Sequence, residues 1–457
     1  MKKIKKTAYF KIDPKIFKAY DVRGIYPDQI NPKTAYFIGR AFVKFLKKKN
    51  PALAVGRDNR LSSEPLFKAL ARGIRDEGGN VVNIGLSPTP LLYFSVAHFN
   101  LDGGINITAS HNPAQYNGFK IVREKAMPIS GTTGLMDIKR IIEQGNFSKK
   151  KKGGIKRKQV INQYIKFNLK DVNIDQLSSF KIIVDTANAV PGILISELNK
   201  KSRLKICHLF SKLDGSFPGH EPDPLKKENL KQICRTVKQK KADLGIAFDG
   251  DGDRIVFIDE SGRPIAGHFI TALMAGLILK DNPGAKILYD VRSSNIIKEI
   301  VESSGGRALI GKIGHSLIKE RMRKEDIIFS GEFSGHYYHR SHYFSECPLF
   351  VLFKMLHLLS SSKKKLSLII KELSKYHHSG EINFKAENKN RILMALEKQF
   401  KKGKILKIDG LRIDFNNWWF LVRASNTEPV IRLVVEASSK KLMEEKIKRI
   451  TSIIQKA

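Results

Sequence analysis

Cysteine is nearly absent from this 457-residue chain: Cys207, Cys234 and Cys347 are the only three, far apart and in no Cys-x-x-Cys pattern. Their scarcity argues against a disulfide framework or a structural zinc module and fits a reducing compartment. Long apolar runs are missing as well. No stretch reaches the roughly 20 apolar residues that a membrane-spanning helix needs. The basic start Met1–Lys6 leads into Thr7–Asp13 without the apolar core of a secretory signal. A cytoplasmic protein with no membrane partner is expected. Acidic residues are in short supply, 44 Asp and Glu against 82 Lys and Arg, for a formal charge of +38. Such an excess raises nucleic-acid binding as a function. The lysines are scattered, however, with short runs at Lys47–Lys49, Lys149–Lys152 and Lys363–Lys365. They are not interleaved with aromatics, and no nucleic-acid motif is present. A solvated basic surface that draws in dianionic small molecules is the expectation, with no nucleic-acid partner.

What the chain does hold is an ordinary globular composition, 42% hydrophobic and 28% charged, at a length that calls for three or four domains. Three stretches share one design, an apolar β-rich run, a polar loop and a helix-like segment: Ala52–Val55 into Gly56–Asp58, Lys181–Val184 into Asp185–Asn188, and Lys286–Tyr289 into Asp290–Ser294. Downstream of each, a second apolar run ends in a richer loop, Thr108–Pro113, Asp249–Arg254 or Gly331–His336. This repetition predicts three related α/β units with their working loops on one edge. The lysine- and glycine-rich stretch Ser148–Lys158 reads as a linker, and Glu260-Ser261-Gly262 as the next turn between units. From about Tyr376 the pattern changes to a helix at Asn390–Phe400, strands at Trp418–Val422 and Val430–Glu436, and a terminal helix from Lys440. The expected domains are therefore residues 1–153, 154–260 and 261–375, all α/β, followed by an α+β domain at 376–457.

The loops carry the chemistry. Ser110 stands after the strand-like run Gly104–Ile107, where ligands bind in open α/β sheets. Asn112-Pro113 reads as the cap and first residue of a short helix that Gly118 would end, aiming backbone N–H groups at an anion on Ser110. A phosphoryl-carrying hydroxyl and a plain Ser/Asn turn are both open on this stretch alone. Asp249-Gly-Asp251-Gly-Asp253-Arg254 brings three carboxylates together on a glycine-loosened backbone, a hard oxygen set suited to Mg²⁺. An EF-hand is excluded, since Arg254 stands where its sixth-position glycine belongs and the flanks are strand-like. Gly331-Glu332-Phe-Ser334-Gly-His336 offers groups for vicinal sugar hydroxyls and for proton transfer, or is only a polar turn. Arg423-Ala-Ser425-Asn426-Thr427-Glu-Pro429, with Arg432 beyond, suits a phosphate clamp or an ordinary hairpin loop.

Taken together, Thr-Ala-Ser-His-Asn-Pro, Asp-Gly-Asp-Gly-Asp-Arg, Gly-Glu-x-Ser-Gly-His and Arg-x-Ser-x-Thr-Glu-Pro, in this order, resemble the α-D-phosphohexomutase family. Lys18-Ala-Tyr20-Asp-Val-Arg23-Gly24 and Val55-Gly-Arg57-Asp58 extend the resemblance over essentially the whole chain. It implies four domains around a central active-site cleft and transfer of a phosphoryl group between the 1- and 6-positions of a hexose, with a hexose 1,6-bisphosphate as intermediate and activator. By the same resemblance Ser110 is the phosphorylated residue, and it shares one Mg²⁺ with Asp249, Asp251 and Asp253. Glu332 and Ser334 would contact sugar hydroxyls. Arg423, Ser425, Asn426, Thr427 and Arg432 would grip the distal phosphate, while Tyr20, Arg23 and His315 would line the substrate site. Lys120, His336, Arg254 and His111 fall with the catalytic groups, Lys120 and His336 as proton-transfer candidates. The motifs Gly-Glu-Phe-Ser-Gly-His and Tyr-Asn-Gly-Phe-Lys look like the phosphomannomutase/phosphoglucomutase branch. Phosphoglucosamine mutase and a serine-dependent sugar phosphatase are the enzyme alternatives, and a basic nucleic-acid-binding protein the other. A sugar phosphate is the expected partner, and the chain is expected to be a monomer or homodimer. Two departures stand out: Arg292 where a lysine is expected, which could alter substrate contact, and Ser345-Glu-Cys-Pro348 where paired aspartates are usual, which bears on folding of the third domain only.

Overall fold

The computed structural model describes residues 12–456 except 149, 171, 173–176, 178–179, 203 and 425–429. The chain forms two compact units; the first runs to Ile265 and takes in Ser334–Leu366, and the second holds Ala266–Phe333 and the chain from Ser367 onward. Among the described residues no helix is long and apolar enough to cross a membrane.

In the first unit, β1 (Val22–Ile25), β2 (Ala52–Arg57), β3 (Asn80–Leu86), β4 (Gly103–Ile107), β5 (Tyr116–Arg123), β6 (Met127–Pro128) and β7 (Ile155–Arg157) form one sheet, ordered β1-β5-β4-β2-β3-β7 with β6 on β5. A second sheet holds β8 (Lys181–Asp185), β9 (Lys205–Leu209), β10 (Leu244–Phe248), β11 (Ile255–Ile258) and β12 (Pro264–Ile265), ordered β12-β11-β10-β8-β9. Strands β4 and β10 are buried at every residue, which is why they read as continuous apolar runs and not as alternating patterns. The helix Pro32–Leu46 starts where Asn31 accepts the N–H groups of Lys33 and Thr34 with proline in the first turn. Its apolar face joins Phe42 and Ile38 to Leu53, Ile105 and Phe119 in the core.

The second unit carries β13 (Lys286–Asp290), β14 (Arg307–Gly311) and β15 (Phe329–Gly331), with β13 parallel to both neighbours. The hairpin strands β16 (Tyr337–His339) and β17 (Ser345–Glu346) lie in the first unit. The carboxyl-terminal sheet of the second unit is antiparallel. It comprises β18 (His377–His378), β19 (Ile382–Lys385), β20 (Lys404–Leu406), β21 (Leu411–Asp414), β22 (Trp418–Ala424) and β23 (Val430–Ala437), packed with helices Lys389–Gln399 and Lys440–Lys456.

The repetition in the sequence has a topological counterpart. In β2/β3/β4, β8/β9/β10 and β13/β14/β15 the first strand lies between the other two and runs parallel to both. Each chemistry-bearing loop leaves the carboxyl end of the third strand of its set: residues 108–115, 249–254 and 332–336.

Three expectations need correction. No helix follows Asn112-Pro113; β5 begins at Tyr116 and Gly118 lies within it. The carbonyls of Ser110, Asn112, Pro113 and Tyr116 accept from the Arg60 guanidinium, and from Pro113 onward only one tight turn forms, with the Tyr116 N–H donating to Pro113 O. Strand β5 is paired on both edges, with β1 and with β4. The presumed linker contributes β7, which pairs in parallel with β3 from Val81↔Ile155 to Asn83↔Arg157. Its lysines suit an exposed edge strand, which they protect from further pairing. Finally, the segment around Ser345–Pro348 is not a matter for the third repeat alone. It packs in the first unit, where His342 Nε2 is 3.2 Å from Asn168 Oδ1, Tyr343 stacks on Phe167 and its hydroxyl meets His98.

A Cβ at Gly118 would run into the main-chain oxygen of Val22 on β1. Gly118→Ala is expected to cost about 1–3 kcal/mol through overpacking, read as a lowered midpoint in urea denaturation with an unchanged slope.

Candidate active site

Ser110 is buried and adopts the left-handed backbone conformation, φ +51°. Its N–H donates to Thr108 Oγ1 at 3.0 Å. Its hydroxyl donates to Asp249 Oδ2 at 2.8 Å and lies 3.3 Å from His111 Nδ1. Burial, and then the Arg254 and Arg23 cations, hold the His111 pKa well below its ordinary value, so the ring beside the serine is neutral at physiological pH.

Asp249, Asp251 and Asp253 are all buried, and one oxygen of each lies within 4.8 Å of the others. The loop can approach Ser110 because Gly250 has no side chain: a Cβ there would strike the Ser110 carbonyl. Gly252 turns the chain at φ +68°. Asp249 Oδ1 accepts the N–H groups of Asp253 and Arg254, which aims Oδ2 at Ser110. Burial raises the Asp249 pKa, and the Asp253 and Asp251 charges raise it further. Burial would raise Asp253 also, but Lys120, His336 and Arg254 outweigh it and hold that carboxyl well below the usual range. Asp251 Oδ1 has no hydrogen-bond partner among the described residues. A hard three-carboxylate set with a free buried oxygen fits a divalent cation of the Mg²⁺ type.

Cationic groups surround the trio. Lys120 Nζ lies 2.6 Å from Asp251 and 2.5 Å from Asp253. Burial alone would lower the Lys120 pKa, but the Asp251, Asp253 and Asp249 charges dominate and raise it, so it remains an ammonium group. Arg254 Nε donates to His336 Nε2 at 3.2 Å, and the same nitrogen is 3.2 Å from Asp253 Oδ1. His336 Nδ1 is 2.9 Å from Ser334 Oγ. A bridge between Arg254 and His336 and the bond from Ile255 N–H to Gly335 O fasten the two loops together. Arg23 donates to Asn112 Oδ1 at 2.6 Å and to Asp21 at 2.5 Å, so β1 also braces the serine loop. Tyr20, at the entry to β1, is half-buried.

The second unit holds the remaining described candidates. Glu332 is buried, and its Oε2 receives the N–H of Gly314 at 3.4 Å, next to His315 at the start of helix His315–Glu325. Arg292 forms a two-pronged pair with Asp290, 2.7 Å at the shorter arm, and lies 3.4 Å from Glu381 and 3.9 Å from Glu332. A lysine has no fork for that pairing. Arg423 lies 3.5 Å from Glu381 and 3.5 Å from Asp409, and it sits directly opposite Arg432 in the β22–β23 register. Ser425, Asn426 and Thr427 lie outside the described residues.

Several supporting residues escaped the sequence. Thr89 bonds Asp251 through its hydroxyl, donates its N–H to the Asp251 carbonyl, and receives a bond from buried Asn106. Glu381 links Arg292 with Arg423, and Arg60 cradles the serine loop. No motif marks the first two. Arg60 lies two residues beyond the matched Val55–Asp58 stretch, where Arg-Asp-x-Arg was its only signal.

Family models for phosphoglucomutase/phosphomannomutase match four successive segments: α/β/α domain I at residues 14–149, domain II at 162–262, domain III at 266–376 and the C-terminal domain at 381–452. A phosphomannomutase of Vibrio cholerae is 39% identical, covering 96% of this chain and 98% of its own. A phosphomannomutase/phosphoglucomutase of Pseudomonas syringae is 37% identical over 94% and 92%. The crystal structure of a phosphoglucomutase/phosphomannomutase family protein from Burkholderia thailandensis superposes with a TM-score of 0.88 at 32% identity, covering 97% and 98% of the two chains.

The raised Asp249 pKa sets a testable sign. Its carboxyl binds a proton at higher pH in the native state than in the unfolded chain, so the metal-free protein loses stability as pH rises through that native value. Asp249→Asn, which keeps the main-chain acceptor, is expected to raise the melting temperature of metal-free protein at pH 7. The gain should shrink as the pH is lowered, and Mg²⁺ should stabilise the parent but not the variant. Scanning calorimetry with and without Mg²⁺ at several pH values checks all three.

Proposed function

The chain belongs to the phosphoglucomutase/phosphomannomutase family and is a phosphohexomutase, and we propose that it interconverts the 1- and 6-phosphates of mannose and glucose through a phosphoserine at Ser110. The observation that carries the assignment is the Ser110 hydroxyl held 2.8 Å from Asp249 in a buried trio of carboxylates ringed by cations. Catalysis of phosphoryl transfer is mostly positioning and charge neutralisation, and this arrangement supplies both.

In the forward half-reaction the bond from phosphorus to Ser110 Oγ breaks as one forms to the free hydroxyl of a hexose monophosphate. The 1,6-bisphosphate turns over in the site, and its other phosphoryl group passes to Ser110. In that return step Ser110 gives up its proton; its O–H faces Asp249 Oδ2, and the neutral His111 ring stands 3.3 Å from the serine oxygen. We assign proton transfer to Lys120, which as an ammonium group can donate a proton, and to His336, whose ring Arg254 orients. Mg²⁺ held by Asp249, Asp251, Asp253 and an oxygen on Ser110 would neutralise charge on the moving group. Glu332 and Ser334 contact sugar hydroxyls in this reading. Arg423, Arg432 and the loop with Ser425, Asn426 and Thr427 receive the distal phosphate, and Tyr20, Arg23 and His315 complete substrate binding. A hexose 1,6-bisphosphate restores the phosphoserine and so acts as activator. The scarce cysteines support a cytoplasmic setting, and we take the protein to act as a monomer or homodimer.

Ser110→Ala is expected to fold and to lose at least about a thousandfold in turnover, while intact mass of the active parent shows one phosphate on Ser110. Turnover surviving in a host-enzyme-free preparation of the variant would sink the assignment, and steady release of inorganic phosphate would make the protein a phosphatase instead.

Sugar choice follows from what two binding orientations share. The fixed points are the distal phosphate and the 3- and 4-hydroxyls, which gluco and manno sugars have in common. Mannose 1-phosphate and glucose 1-phosphate are expected within roughly a hundredfold in kcat/KM, less than about 3 kcal/mol. Galactose 1-phosphate, inverted at C4, should be much poorer. Side-by-side kinetics at saturating Mg²⁺ and bisphosphate decide it, and a strong preference for glucosamine 1-phosphate would refute the sugar-loop reading.

A further inference from the structure

We propose that Arg60 is a positioning residue for phosphoryl transfer: its guanidinium holds the main chain of the serine loop in one conformation whether or not Ser110 carries a phosphoryl group. The inference rests on the assignment of Ser110 as the carrier.

A guanidinium has five N–H donors in a rigid plane, and every donor of Arg60 has a fixed acceptor. Nε donates to Asp58 Oδ2 at 3.1 Å. One terminal nitrogen donates to the carbonyls of Pro113 at 2.6 Å and Tyr116 at 3.1 Å. The other donates to the carbonyls of Ser110 at 2.8 Å and Asn112 at 2.6 Å. The side chain is fully buried, and the ring of Phe217 lies 5.0 Å from its central carbon. Asp58 is itself tied down. It accepts Arg60 N–H at 3.0 Å and the Ser63 hydroxyl at 2.5 Å, and its own N–H donates to Ile107 O at the end of β4. The strand that delivers the serine loop and the group that shapes it thus share one anchor.

Burying a guanidinium is costly, and a structural ion pair would need Asp58 alone. Four of the five bonds go instead to neutral carbonyls within seven residues of chain, beginning with the serine. Those bonds turn the peptide planes inward and support the left-handed conformation of Ser110, which is strained for a residue with a side chain. The logic of the reaction explains why such support is needed. The free serine is tethered to Asp249 through its O–H, but a phosphoserine has no O–H to donate, so that tether exists in only half of the cycle. The Arg60 cradle uses main-chain atoms that the chemistry never touches. Lysine, with three donors on one nitrogen, cannot span four carbonyls.

The test uses the full chain, with Arg60→Lys and Arg60→Ala assayed on glucose 1-phosphate at saturating Mg²⁺ and glucose 1,6-bisphosphate. Both variants are expected to keep KM within about threefold and to lose about a hundredfold in kcat, the scale of an ångström of misplacement. Millimolar guanidinium or methylguanidinium, but not equal sodium chloride, should restore part of the kcat of Arg60→Ala. Should Arg60→Ala fail to fold, Asp58→Asn, which loosens the anchor and keeps the fork, is expected to show the same kcat-only loss to a lesser degree. The proposal is overturned by unchanged kcat, by a rise in KM at constant kcat, or by a loss no larger than the unfolded fraction measured by circular dichroism. An active Ser110→Ala would refute the carrier assignment itself, whereas a fully active Arg60→Lys beside a dead Ser110→Ala refutes only the positioning role.

Discussion

Three carboxylates buried within 4.8 Å of one another are the constraint on which the first unit depends. Like charges at that spacing out of water repel strongly, and the protein answers with geometry and with cations. Lys120 bridges Asp251 and Asp253, Arg254 sits beside Asp249, and Thr89 with Asn106 holds Asp251 in place. Burial, and then the Asp253 and Asp251 charges, still raise the Asp249 pKa. A site that is uncomfortable without a cation is one that a cation stabilises. The loop main chain holds Asp249 Oδ1, and that leaves Oδ2 to receive the Ser110 hydroxyl.

The second unit handles charge differently. Its acids and bases alternate, Glu332 to Arg292 to Glu381 to Arg423 to Asp409, with no separation in the chain above 3.9 Å. Each arginine is shared between acids. Arg292, a departure from the family pattern, is drawn into the chain through Asp290. Its planar fork lets it lie near Asp290, Glu332 and Glu381 together.

A fold built from one strand set used three times explains why chemistry recurs at equivalent places. Each loop at the carboxyl end of a third strand lies outside the sheet ladder, although Ser110, Asp249, Asp251, Asp253 and Glu332 on these loops are buried. Sequence change there alters function with little effect on the core. Serine, aspartates and the Glu-x-Ser-Gly-His group occupy that position in turn, and the antiparallel carboxyl-terminal domain adds arginines on adjacent strands.

Much of this was legible in the sequence because its signals are local. Apolar runs such as Leu244–Phe248 mark buried strands wherever they pack, and Asp-Gly-Asp-Gly-Asp marks a candidate cation site because three converging carboxylates repel without a counter-charge. The short helix expected after Asn112-Pro113 was a local inference too, and in its place the chain enters β5 at Tyr116, paired with β1 and β4, while Arg60 binds the carbonyls before it. The β7 strand was hidden for the same reason: Ile155–Arg157 is a strand only because β3 lies beside it. Side-chain periodicity and loop chemistry are written in consecutive residues, so the sequence alone marked the α/β and α+β domain types and singled out the aspartate trio and Ser110 as candidates. Which main-chain groups find which partners is settled by distant segments meeting, so only the tertiary structure decided the Arg60 cradle, the Thr89 support and the union of residues 334–366 with the first unit.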